Sequence, residues 1–153
     1  LKITLNDSLT TFFDSSKSLH DDSDYTLILY DFQDLATGVL LRDQNDRPPS
    51  GQAKIRIIHA APSLEDVDLY ITRPGESLDS QTATLEDVRF KEVSDYLQSV
   101  AGEYRVRVTG GGNKTVLADS GIVSIDEERI YTMLLLDRRE GGEPFSISVI
   151  TDD

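Results

Sequence analysis

Residues 24–31 read DYTLILYD and residues 130–137 read IYTMLLLD, so nearly the same apolar stretch occurs twice in this chain of 153 residues. Both stretches are rich in strand-forming residues and end in Asp, a pattern that favours a buried β-strand closed by a turn. When Tyr25 is aligned with Tyr131, matching patterns of strands and turns precede and follow both stretches. The sequence therefore predicts a repeated β-domain, with each stretch in the C-terminal half of its copy.

The two predicted copies differ in length. Residues 53–153 predict a complete domain, whereas residues 1–46 match only its C-terminal half, and residues 47–52 contain the Pro, Ser and Gly typical of a linker. A half copy leaves strand edges and an apolar face uncovered. We therefore expect that the missing half precedes this segment, or that the complete domain or a second chain, in a homodimer, covers the half copy.

Alternating polar and apolar residues predict further strands. In YRVRV (104–108) three apolar or aromatic side chains point to one face and two arginines to the other. Similar patterns occur at 54–58, 67–71, 121–125 and 145–149, between clusters of Gly, Pro, Asn, Asp and Ser. This spacing predicts an all-β fold, an antiparallel β-sandwich. The secondary structure of residues 84–100 is ambiguous, because their apolar residues fit one helical face while 88–90 could be a strand.

Composition excludes whole classes of function. The formal net charge of −13 repels nucleic acid and anionic membrane surfaces at long range, so neither is an expected partner. The chain has no Cys, which excludes disulfides, thiolate zinc sites and a Cys nucleophile. Its apolar runs are far shorter than the ~20 residues of a membrane span, so we expect no membrane insertion by this segment.

Three blocks of residues 53–153 carry a family resemblance. They read KIRIIHAAPSLEDVDLYI (54–71), FKEVSDYLQSVAGEYRVRV (90–108) and SGIVSIDEERIYTMLLLD (120–137). In this order, and with the motifs IHAAP and VSDYL, the chain resembles the domain-of-unknown-function 4397 family of secreted or surface-anchored bacterial proteins. No family activity exists to carry over.

The resemblance implies an immunoglobulin-like or transthyretin-like β-sandwich, often in tandem copies. It implies an extracytoplasmic location, in the periplasm, on an outer-membrane lipoprotein or at the cell surface, with the signal segment absent from this chain. It also favours a strand at 88–90 followed by a helical turn at 94–97. The residues that match the family pattern, expected to be structural, are His59, Pro62, Asp68, Tyr70, Asp95, Tyr96, Gly102 and Tyr104.

Two groups of residues suggest acid–base catalysis or calcium binding, and each also has a structural explanation. His59 could be a general base, although a histidine that bonds the neighbouring backbone at the strand end fits the same position. Asp21, Asp22 and Asp24 form the acidic turn that comes nearest to a calcium loop, but it lacks the Gly and the distal Glu of an EF-hand. Exposed turn carboxylates explain such a run equally well, so we expect no cofactor other than possible calcium.

The sequence thus predicts a non-catalytic extracytoplasmic module for surface attachment, assembly or ligand binding, with a protein or carbohydrate at the cell surface as its partner. One alternative is a carbohydrate-active hydrolase that uses a carboxylate pair, or an accessory carbohydrate-binding module with an aromatic platform. A second alternative is a spacer domain stiffened by calcium.

Overall fold

The computed structural model describes residues 2–4, 11–14, 18–30 and 37–152, which fall into two compact units, 1–45 and 46–153. Parts of the predicted half copy, including residues 5–10 and 31–36, lie outside the described residues. The boundaries of the repeat copies stay a prediction, because compact units do not by themselves identify two copies of one domain.

The first unit contains two antiparallel strand pairs. Strand β1 (Lys2–Thr4) pairs with β2 (Thr11–Asp14), and β3 (Tyr25–Tyr30) pairs with β4 (Thr37–Arg42). Strand β3 is the first of the two repeated stretches, so the strand expected there is confirmed. Directly after β4, the Asp43 carboxylate accepts a hydrogen bond of 2.9 Å from the Thr26 hydroxyl, which fixes the end of the pair.

The second unit contains eight described strands in two four-stranded sheets. In chain order they are β5 (Gln52–Ala60), β6 (Val67–Thr72), β7 (Leu85–Val88), β8 (Leu97–Val100), β9 (Gly102–Gly110), β10 (Val116–Ile125), β11 (Ile130–Leu136) and β12 (Ser146–Asp152). Sheet I has the order β10-β9-β6-β7 and sheet II the order β12-β11-β5-β8. The all-β prediction is confirmed, whereas the immunoglobulin-like or transthyretin-like assignment stays a prediction.

One strand pair departs from the antiparallel pattern. Strand β11 runs parallel to β5, from Ile130 opposite Lys54 to Leu136 opposite Ala60. The other pairs of this unit are antiparallel. A parallel pair needs a long connection, and here the connection contains most of the unit, so the local patterns could not predict it.

One hydrophobic core lies between the two sheets. Its side chains alternate along the strands as the sequence predicts: Val106 and Val108 point into it from β9, and Met133 and Leu135 point into it from β11. Tyr131 belongs to the same cluster and is only 5% exposed. The second repeated stretch is therefore a central strand of the sandwich.

The ambiguous segment contains strands and no helix. Strand β7 occupies 85–88, earlier than the expected strand at 88–90, and the helical turn expected at 94–97 is wrong. Instead, Val93 bridges to Ile58, and Leu97 begins β8, which pairs with β5. Pairing with the open side of β5 overrides the helical periodicity of these residues. In the part of the chain that the structure describes, no helix has the length and apolarity needed to cross a membrane.

Replacement of Tyr131 tests the core. Its ring is buried and its hydroxyl accepts a hydrogen bond of 2.9 Å from the Asp126 backbone N–H. We expect Tyr131→Ala to lower the free energy of unfolding by about 3–5 kcal/mol, and Tyr131→Phe by about 1 kcal/mol, measured by urea denaturation. A loss below about 0.5 kcal/mol for Tyr131→Ala would contradict the inward orientation of this strand.

Candidate functional site

His59 lies near the end of β5, and its side chain is 0% exposed. Its Nδ1 accepts a hydrogen bond of 3.3 Å from the Ala61 backbone N–H, which leaves Nε2 as the protonated nitrogen. Nε2 then donates to the backbone oxygen of Glu65 at 3.3 Å, and the Phe90 ring packs edge-on at 6.1 Å. Both ring nitrogens therefore fix the turn after β5, and neither is directed to solvent.

Burial changes the protonation of this histidine. Desolvation lowers the pKa of His59 below the ordinary value of 6.5, although the Glu65 carbonyl and nearby carboxylates oppose the shift. The neutral ring is also the form that can accept from Ala61 and donate to Glu65 at the same time. The local structure thus depends on a neutral His59.

This dependence predicts an effect of pH on stability. Because the folded-state pKa is lowered, the unfolded chain binds the proton more readily, so stability falls as pH decreases below the ordinary value. We expect the free energy of unfolding to decrease from about pH 7.5 to about pH 5.5, with a shallower slope in His59→Gln. The control is His20→Gln, which replaces an exposed histidine and should keep the wild-type slope. Equal slopes for wild type and His59→Gln would contradict the expectation.

Asp68 joins strand β7 and the turn after β9, two segments from different parts of the chain. This β6 carboxylate is buried, and it accepts 3.0 Å and 2.9 Å hydrogen bonds from the backbone N–H groups of Asp87 and Gly112. Asp87 and Gly112 both have positive φ, 53° and 70°, so their N–H groups turn away from regular strand pairing. The carboxylate accepts hydrogen bonds from both groups. It thereby holds β7 and the glycine-containing turn between β9 and β10 against β6.

Loss of the Asp68 carboxylate should be costly. Hydrogen bonds to a charged acceptor contribute about 1.5–3 kcal/mol each, so we expect Asp68→Ala to lower the free energy of unfolding by about 3 kcal/mol or more. The matched control is Asp66→Ala, which removes an exposed carboxylate 3.6 Å from Arg89 and should cost less than about 1 kcal/mol. Urea denaturation measures both variants, and similar small losses would contradict the role of Asp68.

Cations cover the three tyrosines that match the family pattern. The Lys114 ammonium lies 4.3 Å from the ring centre of Tyr70, and the Arg73 guanidinium lies 4.2 Å from that of Tyr104. Arg56 lies 5.0 Å from the ring centre of Tyr96. Tyr70 and Tyr104 are also buried, so their rings form no open platform. Each cation gains contact with the negative face of a ring.

The tyrosine hydroxyls and the cations also hold backbone segments. Tyr104 Oη donates to the Val100 carbonyl at 2.6 Å, which closes the tight connection between β8 and β9. Lys114 Nζ donates to Tyr70 Oη at 3.0 Å and to the Gln81 carbonyl at 2.6 Å. These contacts tie the loop between β6 and β7 to the face of sheet I.

Arg107 is a buried residue that sequence patterns placed on a solvent face. It is 7% exposed, and its guanidinium donates to Thr72 Oγ1 at 2.7 Å and to the Glu76 carbonyl at 2.8 Å. Thr109, on the same face of β9, is 0% exposed. The alternation of YRVRV gave the correct face, but it could not show that the loop after β6 folds over that face.

Ser63 and Asp137 close the end of the sandwich where β5 and β11 stop. Asp137 Oδ2 accepts hydrogen bonds from Ser63 Oγ at 2.6 Å and from the Ser63 and Gly142 backbone N–H groups at 3.2 and 3.3 Å. The His59 ring, which lies near this end, bonds backbone groups instead of Ser63. Ser63, His59 and Asp137 therefore lack the hydrogen-bond relay of a serine nucleophile.

The remaining residues of the family pattern lie at turns. Pro62 follows β5, and Asp95 is exposed in the turn before β8, where its carbonyl accepts a bond of 2.8 Å from Ser94 Oγ. Gly102 begins β9 with a φ of 144°, and a Cβ there would overlap the Arg73 guanidinium that covers Tyr104. The positive φ, which L side chains rarely adopt, explains why glycine occupies the position.

Among the described residues, the calcium candidates belong to no group of side chains arranged to hold a cation. Asp21 and Asp22 are exposed in a turn, and Asp24 accepts a hydrogen bond from the Asn45 amide. Among the residues that the structure describes, no group of three or more acidic or histidine side chains is arranged to hold a metal ion. The acidic turn of the sequence is thus a turn of separate carboxylates.

A groove opens at one edge of the sandwich, between the two strands that end the sheets. Among the strands that the structure describes, β7 pairs only with β6, and β8 pairs only with β5. The groove has a volume of about 320 Å³. Its lining consists of Leu85, Val88, Val93 and Leu97 together with Glu86, Glu92, Ser94 and Asp95. We call it the β7–β8 groove, an apolar surface bordered by acids that sequence reasoning did not identify.

Comparison with known proteins gives one family. The model of a domain of unknown function, DUF4397, matches residues 1–70 and 76–153. The resemblance based on IHAAP and VSDYL is therefore confirmed. The interruption between the two matched segments falls at the end of β6, inside the second compact unit. A search of curated proteins gives no match.

Proposed function

Because the chain belongs to the DUF4397 family, and because its motif residues hold the backbone, we propose that it is a non-catalytic binding or assembly module that works outside the cytoplasm. The observation that carries this proposal is the hydrogen bonding of the motif side chains. Polar atoms of His59, Asp68 and Tyr104 bond backbone groups in different segments of the chain: the turn after β5, strand β7 with the turn after β9, and the connection between β8 and β9. In this proposal the residues that match the family pattern stabilise the sandwich.

These contacts weigh against a hydrolase. A general base needs a ring nitrogen or carboxylate oxygen directed at the substrate proton. In His59 both nitrogens have backbone partners, and in Asp68 each oxygen accepts a backbone N–H. A carbohydrate-binding platform needs an open aromatic face, whereas Tyr70 and Tyr104 are buried beneath cations. Recognition of another protein is therefore the form of binding that we favour.

The extracytoplasmic part of the proposal rests on the resemblance to secreted and surface-anchored bacterial proteins, lipoproteins among them. The similarity of residues 24–31 to residues 130–137 supports tandem copies. A net charge of −13 also fits a protein of tandem modules, because repulsion between like charges opposes aggregation of neighbouring copies.

Labelling of intact cells tests the location. We expect a membrane-impermeant amine reagent to label the chain on unbroken cells, or after the outer membrane alone is opened, through exposed lysines such as Lys91. A cytoplasmic protein of the same cells is the control and should be labelled only after lysis. Labelling of the chain only after lysis would overturn the extracytoplasmic location.

A hydroxyl deletion tests the structural role of the motif. We expect Tyr104→Phe to lower the free energy of unfolding by about 1 kcal/mol, because it removes the bond to the Val100 carbonyl. The matched control, Tyr25→Phe, removes a hydroxyl that accepts an exposed backbone N–H and should cost less. Equal stability of wild type and Tyr104→Phe in urea denaturation would leave the motif without the structural role on which the proposal depends.

A further inference from the structure

We propose that the β7–β8 groove binds an extended, positively charged segment of a partner protein. The inference rests on the proposed function, since it names the partner class of a module that recognises other proteins. Three features of the groove carry it: two open strand edges, an apolar floor and an acidic border.

The open edges supply the backbone part of the recognition. Strands β7 and β8 are the last strands of sheets I and II on the same side of the sandwich, and among the described strands each has a hydrogen-bonded neighbour on one side only. An edge strand offers unpaired N–H and C=O groups, and an extended peptide can bind them as an added strand.

The floor of the groove suits side chains rather than a large rigid ligand. Leu85, Val88, Val93 and Leu97 contribute apolar surface, and the volume of about 320 Å³ lies at the low end for ligand pockets. In an extended segment, alternate side chains point to the same side. Every second residue of a bound segment can therefore place an apolar side chain against this floor.

The border selects positive charge. Glu86 and Asp95 are exposed at the groove, and the carboxylate of Glu92 accepts the Arg89 backbone N–H at 3.0 Å while its side chain stays exposed. These acids add to the field of a chain whose formal net charge is −13. Lysine or arginine at the outward positions of a bound segment would gain attraction and faster association.

The same charge argues against two other occupants. A second copy of this chain would bring a further net charge of −13 to an acidic border, and nucleic acid would bring phosphates. A basic peptide is the occupant whose charge, shape and side-chain alternation all complement the groove.

Binding of a synthetic peptide tests the proposal. The probe is a short fluorescent peptide that alternates valine and lysine, titrated with the full chain and followed by anisotropy. We expect saturable binding that weakens about tenfold when Glu86 and Asp95 are both replaced by Lys, because the border then repels the probe. In the wild-type protein, amide NMR signals of residues 85–88 and 97–100 should shift on titration.

Two controls separate groove binding from general attraction. The double variant Asp126→Lys and Glu140→Lys changes the net charge equally at exposed positions that do not line the groove, and should change affinity by about twofold at most. A probe in which alternate residues are N-methylated cannot form the backbone hydrogen bonds with an edge strand, so it should bind much more weakly. Equal loss in both double variants, equal binding of the methylated probe, or no binding at all would overturn the groove proposal. These outcomes leave the proposed function standing, because cell labelling and Tyr104→Phe test it separately.

Discussion

The parallel pairing of β5 with β11 is the interaction on which the second unit depends. It sets Ile55 beside Tyr131 and Ile57 beside Met133, so the middle of the core comes from two strands that are far apart in the sequence. Strands β8 and β12 then add to the outer sides of this pair, and sheet I covers its inner face. Because both central strands are buried, a shift of their register would move polar residues into the core.

The need to satisfy buried backbone hydrogen-bonding groups explains why polar side chains lie next to this core. A buried donor or acceptor without a partner costs free energy, so each turn near the interior needs a side chain that supplies one. His59 supplies both ring nitrogens, Asp68 two carboxylate oxygens, and Tyr104 a hydroxyl donor. Residue types that usually indicate catalysis here fix the path of the backbone.

Several positive charges of the second unit are used in contacts within the unit. Arg56 and Arg107 are buried, and Arg73 and Lys114 lie on tyrosine rings. Four of the cations are thus held by rings, hydroxyls or carbonyls, while carboxylates such as Glu86 remain on the surface. At the β7–β8 groove the side chains of Glu86, Glu92 and Asp95 are exposed, and these carboxylates favour a basic partner.

By itself the sequence determined the positions of strands β3, β5, β6, β9, β10, β11 and β12 and, in β9 and β11, the faces of the side chains, because these depend on local backbone geometry and alternation. It also determined the family, through the order of short motifs. Only the tertiary structure decided that β11 runs parallel to β5, that residues 97–100 form an edge strand, and that Arg107 is buried. These features, and the groove with them, depend on contacts between residues distant in sequence, which local patterns do not encode.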